Sequence, residues 1–327
     1  MAKPTVKSRV RTSPQKVKTA LRRVREEALF VTEFYRDMAD FRASAAPTER
    51  TGRPPQNPVQ VECLITKDYH RVEKGLSLAA PKRPFGALLE RRLTRSLEIA
   101  TSNGLSEPES DVNRYAYDAL TALRLWNQSG VVDDLVSPTN ISVDGPPDMD
   151  KNVLTNFFNR RSSVRNFSPD RRVPKEVVEH AVRLAQNTPS VCNRQAARIH
   201  AVMDREDARR VLAEQNGNAG FRDSVPHVAI VTVDRRLFSG PEERNQRWID
   251  GGLYAMSLVW ALHGLGVGTC MLNWSVLHHK NDRLREVAGI DSNEDVICLI
   301  AFGFPSEGLR RARSARRPSD AVLRFAP

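Results

Sequence analysis

Cysteine is scarce in this chain of 327 residues, and the spacing of the four cysteines excludes two kinds of site. They stand at Cys63, Cys192, Cys270 and Cys298, so no two of them form a CxxC pair. A zinc site built on cysteine pairs and a scaffold held by disulfides are therefore not expected. We expect four free thiols, no bound metal and a cytoplasmic location.

Aromatic residues are also few, at 6%, but 40% of the residues are hydrophobic, which suffices for one large domain or two small ones. The basic N-terminus has no apolar stretch after it, so we do not expect a secretory signal there. The apolar run 251–274 is long enough to cross a bilayer, but it contains five glycines and His263. We predict instead a buried helix that ends near Gly264, then a glycine-rich turn and a strand, and no membrane span.

Positive charge is concentrated at the two ends of the chain, whose net charge is +11. The first 25 residues contain nine lysines and arginines, and residues 310–324 contain six arginines. Such runs can bind nucleic acid or an anionic surface. No helix-turn-helix, zinc-finger or RNA-binding motif accompanies them, so we interpret them as a solvated basic face and do not expect a nucleic-acid partner.

Two segments rich in proline and glycine, 45–58 and 137–150, interrupt the chain. We place a domain boundary at the second one, so that residues 1–150 form a mainly helical N-terminal extension and residues 151–327 a second domain. Helices are predicted in the extension at 14–35, 85–101 and 112–126. In the first of these, Val17, Leu21, Val24, Ala28 and Val31 form one apolar stripe, which is typical of an amphipathic helix.

The second half alternates helix and strand patterns. Helices are predicted at 151–160, 174–186, 249–263 and 282–288, and strands at 199–203, 227–233, 267–272 and 296–302. Strand 227–233 is rich in β-branched residues. This order predicts an α+β fold in which helices surround an antiparallel or mixed central sheet.

Three segments of the second half suggest a ligand site, and each has a simpler interpretation. Residues 160–165 gather arginines and hydroxyls, which suits a phosphate monoester but also an ordinary basic helix end. The loop 188–195 carries polar donors that suit a planar ligand with polar edges, or that simply form a turn. The glycines of 264–270 allow backbone to approach a flat ligand, or only turn a helix into a strand. Their spacing is not that of a Rossmann motif.

Taken in order, the motifs of the second half resemble those of the nitroreductase family. They are RRSSVRNF, TPSVCNRQ, PHVAIVTV, WIDGG, GLGVGTC and LIAFGFP, and they extend from residue 151 to about residue 322. The resemblance implies a nitroreductase-like fold and a domain-swapped homodimer with FMN sites at the subunit interface. It also implies an oxidoreductase that passes electrons from NADH or NADPH through FMN to a small-molecule acceptor.

The resemblance assigns cofactor-binding roles to twelve positions. In the family, the residue at Arg161 binds the FMN phosphate together with the hydroxyl at Ser163, and a late arginine, here Arg316, returns to that phosphate. The residue at Arg165 lies near the ribityl chain and the N1–C2 edge of the flavin. The residues of the 188–195 loop reach the flavin from the other subunit. The predicted strand 267–272 presents the backbone of its residues 269–271 to the flavin ring. The full set is Arg161, Ser162, Ser163, Arg165, Pro189, Ser190, Asn193, Gln195, Thr269, Cys270, Met271 and Arg316.

The chain departs from the family pattern at two places. Ala196 and Ala197 follow Gln195 where the family usually has Pro-Trp, so the local packing should differ. Only residues 234–247 separate the PHVAIVTV strand from the WIDGG helix, which leaves little chain to line a substrate pocket. We therefore expect an open pocket unless another segment covers it.

The segment HRVEKGLSL in the first half resembles the leader of nitroreductase-like proteins that are linked to polysaccharide gene clusters. Its polar residues are His70, Arg71, Glu73 and Lys74, which form either an ion-pair network or a catalytic group. No catalytic acid or base is identified. Two other functions remain open, namely a non-catalytic flavin-binding or scaffold protein of a biosynthetic cluster and a flavin dehydrogenase that uses oxygen.

Overall fold

The computed structural model describes residues 14–48, 50, 53–105, 107, 109–138 and 150–326. The chain forms two compact units, Met1–Ala43 and Ser44–Pro327. Most of the second breaker-rich segment lies outside the described residues, so the boundary at residue 150 stays a prediction.

Helix α1 (Pro14–Ser44) makes up the described part of the first unit. It is longer than the predicted 14–35 because no proline or glycine follows until Pro47. The apolar stripe is present, and the side chains of Val17, Leu21, Val24 and Val31 are all exposed.

The mainly helical character predicted for the extension is confirmed in the described residues. Helices α2 (Pro58–Leu76), α3 (Ala87–Ser102) and α4 (Asp111–Ser129) pack around a shared apolar core. The side chain of Asn57 accepts a hydrogen bond from the Gln60 amide at 3.0 Å and so caps α2. Helix α2 also packs against the 3-10 turns Val191–Asn193 and Arg235–Leu237, which places it beside the sheet domain.

A four-stranded antiparallel sheet forms the centre of the second unit. Its strands are β1 (Ala197–Val202), β2 (His227–Asp234), β3 (Gly268–Asn273) and β4 (Glu294–Gly303), in the spatial order β1-β2-β4-β3. Every residue of β2 is buried, which explains its nearly continuous β-branched sequence. The strands β1 and β3 therefore form the two edges of the sheet.

Helices cover both faces of this sheet. Helices α6 (Lys175–Ala185) and α8 (Gln246–Gly264) pack on one face, and α7 (Arg205–Ala213) and α9 (His278–Ala288) pack on the other. Helix α5 (Lys151–Arg160) contacts α8 through Phe157 and Trp260, whose ring centroids are 5.3 Å apart. The predicted α+β fold with an antiparallel sheet inside helices is confirmed.

Four helices of the second half differ from the prediction. Pro174 caps α6 instead of lying in its first turn. Helix α9 begins four residues earlier than predicted, and α7 was not predicted because its sequence is mostly charged. Helix α8, expected to be buried, exposes Trp248 and Leu253 near its N-terminal end. No helix in the described part of the chain is long and apolar enough to cross a membrane.

Two adjacent glycines of α8 provide a test of its packing. A Cβ atom on Gly251 would lie 2.5 Å from Cγ1 of Ile297 on β4, whereas a Cβ atom on Gly252 would meet no atom within 4 Å. We expect Gly251→Ala to lower the free energy of unfolding by about 1–3 kcal/mol, because the helix must move away from the sheet. We expect Gly252→Ala, the matched control, to raise it by up to about 1 kcal/mol because alanine favours the helix. Denaturant unfolding measures both, and a Gly251→Ala protein as stable as wild type would contradict the packing.

Candidate cofactor site

The segment of residues 161–168, here called the edge segment, runs beside strand β3. The Val164 amide donates a hydrogen bond to the Thr269 carbonyl at 2.8 Å, and Ser163 pairs with Thr269 in a parallel bridge. Val164 and Phe167 are buried in the core, whereas Arg165 between them is exposed. The fold thus brings two of the predicted groups together, the arginine and serine cluster and the β3 residues.

Strand β3 has two different faces beside the edge segment. Cys270 lies opposite Ala301 in the core under α7 and α9, and burial raises the pKa of its thiol, which the charge of Arg165 lowers in part. Met271, opposite Ile300, is exposed. Since the Cys270 side chain fills the core, only its backbone is available to a ligand.

The glycines before β3 have structural roles in this chain. Gly266 has φ 75°, a left-handed conformation that suits glycine at the turn between α8 and β3. A Cβ atom on Gly268 would lie 2.8 Å from Cγ2 of Val164. The simpler interpretation, a turn from helix to strand, accounts for Gly266, whereas Gly268 allows the edge segment to approach β3.

The 188–195 loop has an unusual backbone. Cys192, Asn193 and Gln195 have φ angles of 49°, 53° and 48°, in the left-handed region that residues other than glycine rarely adopt. The Ser190 hydroxyl accepts a hydrogen bond from the Gln195 amide at 3.0 Å and so closes the loop. The Ser190 hydroxyl thus has an internal role, while Pro189 and Gln195 are exposed and Asn193 is half-buried.

Two residues that hold this loop were not identified from the sequence. The buried carboxylate of Asp250, in the WIDGG motif, accepts hydrogen bonds from the Val191 amide at 3.1 Å and from Gln246 at 2.8 Å. The sequence did contain a signal for Asp250, because an acidic residue inside an apolar helix is unusual. Arg194 is buried as well, and nothing in the sequence distinguished it from the exposed arginines.

The structure of one chain holds the loop and the edge segment apart. The loop leads into β1 at Ala197, which pairs with Val233, while Thr269 on β3 pairs with Phe302 at the other end of the sheet. The two groups therefore lie at diagonally opposite corners, separated by three strand spacings of about 4.8 Å and by the length of the strands. Arg316 lies in an exposed tail, where its guanidinium donates to the Ser314 carbonyl at 2.8 Å.

The HRVEKGLSL segment forms the C-terminal part of α2 and carries ion pairs. Nδ1 of His70 lies 3.1 Å from the Glu73 carboxylate, and the buried Asp68 pairs with Arg71 and Arg92. Burial raises the pKa of the Asp68 and Glu73 carboxyls, although their basic neighbours lower it in part. These contacts favour the ion-pair interpretation. Among the described residues, no group of three or more His, Cys, Asp or Glu side chains could hold a metal ion.

Comparison with known proteins finds similarity in the second half of the chain. Residues 159–219 and 212–304 match the model of the nitroreductase family. A protein of Archaeoglobus fulgidus with the provisional name NADH dehydrogenase/NAD(P)H nitroreductase is 26% identical over 151 residues, which are 45% of this chain and 82% of that protein. All predicted cofactor positions except Arg316 lie inside the matched residues.

Two solved structures are similar to about half of this chain. An FMN-dependent nitroreductase from Clostridium difficile is 20% identical, with 53% of this chain and 99% of that chain covered and a TM-score of 0.45. A provisionally named nitroreductase from Desulfovibrio desulfuricans, solved in complex with FMN, is 21% identical, with 53% and 96% covered and a TM-score of 0.45.

The cysteines provide a test of the burial around this site. Burial raises the pKa of the Cys63 thiol to about 11 and of the Cys298 thiol to about 12, and it also raises that of Cys270, whereas Cys192 in the loop is half-buried. Since the thiolate is the reactive form, we expect iodoacetamide at pH 8 to modify Cys192 well before the other three. Peptide mass spectrometry over a time course measures the order. Early modification of Cys270 would show that β3 is more open than described.

Proposed function

We propose that the protein is an FMN-dependent oxidoreductase that takes electrons from NADH or NADPH, because residues 159–304 match the nitroreductase family model. The observation that carries this proposal is the assembly of the edge segment on β3. In that assembly Arg161, Ser162, Ser163 and Arg165 lie along the edge strand β3.

The donors of the edge segment fit the phosphate of FMN. The guanidinium groups of Arg161 and Arg165 and the hydroxyls of Ser162 and Ser163 form no hydrogen bond or ion pair with other described residues. A guanidinium with neighbouring hydroxyls matches the charge and the acceptor oxygens of a phosphate monoester, and the second guanidinium remains for another polar part of the cofactor. Nothing in this set recognises an adenine, which favours FMN over FAD.

Each group then has a role in holding the cofactor. Arg161 and Ser163 would bind the phosphate, and Arg165 would place positive charge at the polar edge of the ring system. The backbone of Thr269, Cys270 and Met271 would support the ring. FMN, when bound, supplies the electron transfer itself, and the protein orients it and admits the electron donor and an acceptor that is not yet identified.

A second copy of the chain would complete this site. The loop with Ser190 and Asn193 lies at the corner opposite the edge segment, so the two groups meet around one cofactor only if they come from different chains. Helices α5 and α8 also expose large apolar side chains in the single chain, which is typical of an interaction surface. They are Val153, Leu154, Phe158, Trp248, Ile249 and Leu253.

The first test is the cofactor and its reduction. We expect purified protein to bind FMN, and anaerobic NADH or NADPH to bleach its visible spectrum. FMN that neither donor reduces would favour a non-catalytic scaffold, and reduction by a different substrate with oxygen as acceptor would favour a dehydrogenase. No binding of FMN after reconstitution would contradict the proposal.

Arginine variants test the phosphate site. A charge-assisted hydrogen bond contributes roughly 1.5–3 kcal/mol, so Arg161→Ala and Arg316→Ala should each weaken FMN binding about tenfold or more. Arg311→Ala in the same exposed tail is the matched control and should change little. Fluorescence titration with FMN measures all three. Equal losses at Arg311 and Arg316 would mean that Arg316 has been assigned to the wrong position.

Mixed dimers test the shared site. Arg161→Ala chains and Asn193→Ala chains, combined in one dimer, should retain one intact site of two, because the wild-type Arg161 and Asn193 then meet across the interface. Such a dimer should bind half the FMN of wild type with unchanged affinity. A monomer in analytical ultracentrifugation, or mixed dimers without FMN, would contradict a shared site.

A further inference from the structure

We propose that the buried guanidinium of Arg194 positions the 188–195 loop, and that helix α2, through Cys63, thereby controls the cofactor site. This inference rests on the proposed function, because the loop carries Ser190, Asn193 and Gln195. It adds a residue from outside the matched region 159–304 to the machinery that holds the cofactor.

The loop requires support from outside itself. Three of its residues adopt left-handed backbone conformations, each of which costs on the order of 1 kcal/mol for a residue other than glycine. Inside the loop, the Asn193 amide donates to the Ser190 carbonyl at 3.0 Å, the Arg194 amide to the Val191 carbonyl at 3.2 Å, and the Gln195 amide and side chain to the Ser190 hydroxyl and the Asn193 carbonyl. Such a conformation persists only where surrounding contacts also enforce it.

Arg194 makes three contacts from one side chain, which is 0% exposed, and two of them reach residues outside the loop. Its Nε donates to the Val191 carbonyl at 3.1 Å, which ties the two ends of the 3-10 turn together. One terminal nitrogen donates to Sγ of Cys63 on α2 at 3.3 Å, and the other lies 2.8 Å from the Glu243 carboxylate. Because Arg194 points inward, its neighbours Asn193 and Gln195 lie on the accessible side of the loop.

Glu243 and Cys63 have different roles in this arrangement. Burial raises the pKa of the Cys63 thiol to about 11, so at neutral pH the sulfur is a neutral acceptor and Glu243 supplies the counter-charge. The other oxygen of Glu243 accepts a hydrogen bond from the Ser239 amide at 2.6 Å. The Ser239 hydroxyl in turn accepts one from Lys67 on α2 at 3.3 Å. Helix α2 therefore contacts the Arg194 guanidinium directly through Cys63. It also contacts, through Lys67, the turn that contains Ser239 and the counter-ion Glu243.

It follows that α2 affects cofactor affinity without touching the cofactor. Loss of the Cys63 sulfur leaves one buried N–H group without an acceptor, which costs free energy in the ordered loop. The loop then has more freedom, and Asn193 must be ordered again when the cofactor binds. The loss of the Cys63 sulfur should therefore change the local opening of the loop more than it changes the global free energy of unfolding.

The experiment uses the full-length chain with four variants. Cys63→Ala removes the acceptor on α2, and Arg194→Met removes the guanidinium with little change in volume. Arg92→Met is the matched control, because Arg92 is largely buried and pairs with Asp68 between α2 and α3, where the 188–195 loop takes no part. Cys63→Ser restores an acceptor and should restore most of the wild-type behaviour.

Two readouts separate this proposal from the proposed function. Hydrogen exchange of the 190–195 amides, measured without FMN, should accelerate at least about fivefold in Cys63→Ala and more in Arg194→Met. FMN affinity should fall about threefold in Cys63→Ala and about tenfold or more in Arg194→Met, with a shifted visible spectrum of the bound cofactor. Arg92→Met should lower the thermal midpoint and leave both readouts at wild-type values.

The outcomes are distinct. If the wild-type protein binds no FMN, the proposed function fails, but the exchange rates still report whether Arg194 and Cys63 hold the loop. If the exchange rates and FMN affinity of Cys63→Ala and Arg194→Met equal those of wild type, the positioning role is overturned. It is also overturned if Arg92→Met changes them equally, since the effect would then be one of general stability.

Discussion

The antiparallel pairing of β2 with β4 is the constraint on which the rest of this structure depends. These central strands are largely buried, so helices must cover both faces of the sheet. With β2 and β4 in the middle, β1 and β3 become the edges, and the 188–195 loop and the edge segment lie at opposite corners. The separation of the two predicted groups is therefore a consequence of strand order, and the proposal of a site shared by two chains rests on it.

Buried arginines connect several elements of the second unit. Arg194 contacts α2 through Cys63, and two others contact strand β4. Arg194 pairs with Glu243, while Arg235 and Arg247 both pair with Asp295 at 2.6 Å and 2.8 Å. A buried charge is tolerated only where a counter-charge and hydrogen bonds replace its hydration. These pairs lie in and around residues 234–247, which the sequence suggested were only a shortened excursion. In the structure this segment contacts three neighbouring elements, namely α2, the 188–195 loop and strand β4.

Several elements were predictable because their signal is local. The helices at 87–102 and 111–129 follow from local patterns, β2 from a run rich in β-branched residues, and β4 from an apolar run that ends at Gly303. Helix α7 was not predictable in this way, because only Ala208, Val211 and Leu212 are buried in a segment of charged residues. Its helical form depends on packing against the sheet, which no local pattern records.

By itself the sequence determined the α+β class, the order of helices and strands, and the segments that could carry a phosphate-bearing cofactor, because periodicity, breakers and ordered motifs are local properties. Only the tertiary structure decided that Ser163 lies against Thr269, that Asp250 and Arg194 hold the loop, and that Gly268 serves a close approach of Val164. These contacts join residues far apart in the chain. Strand order and burial determine them, and neither can be read from the identity of a single arginine or glycine.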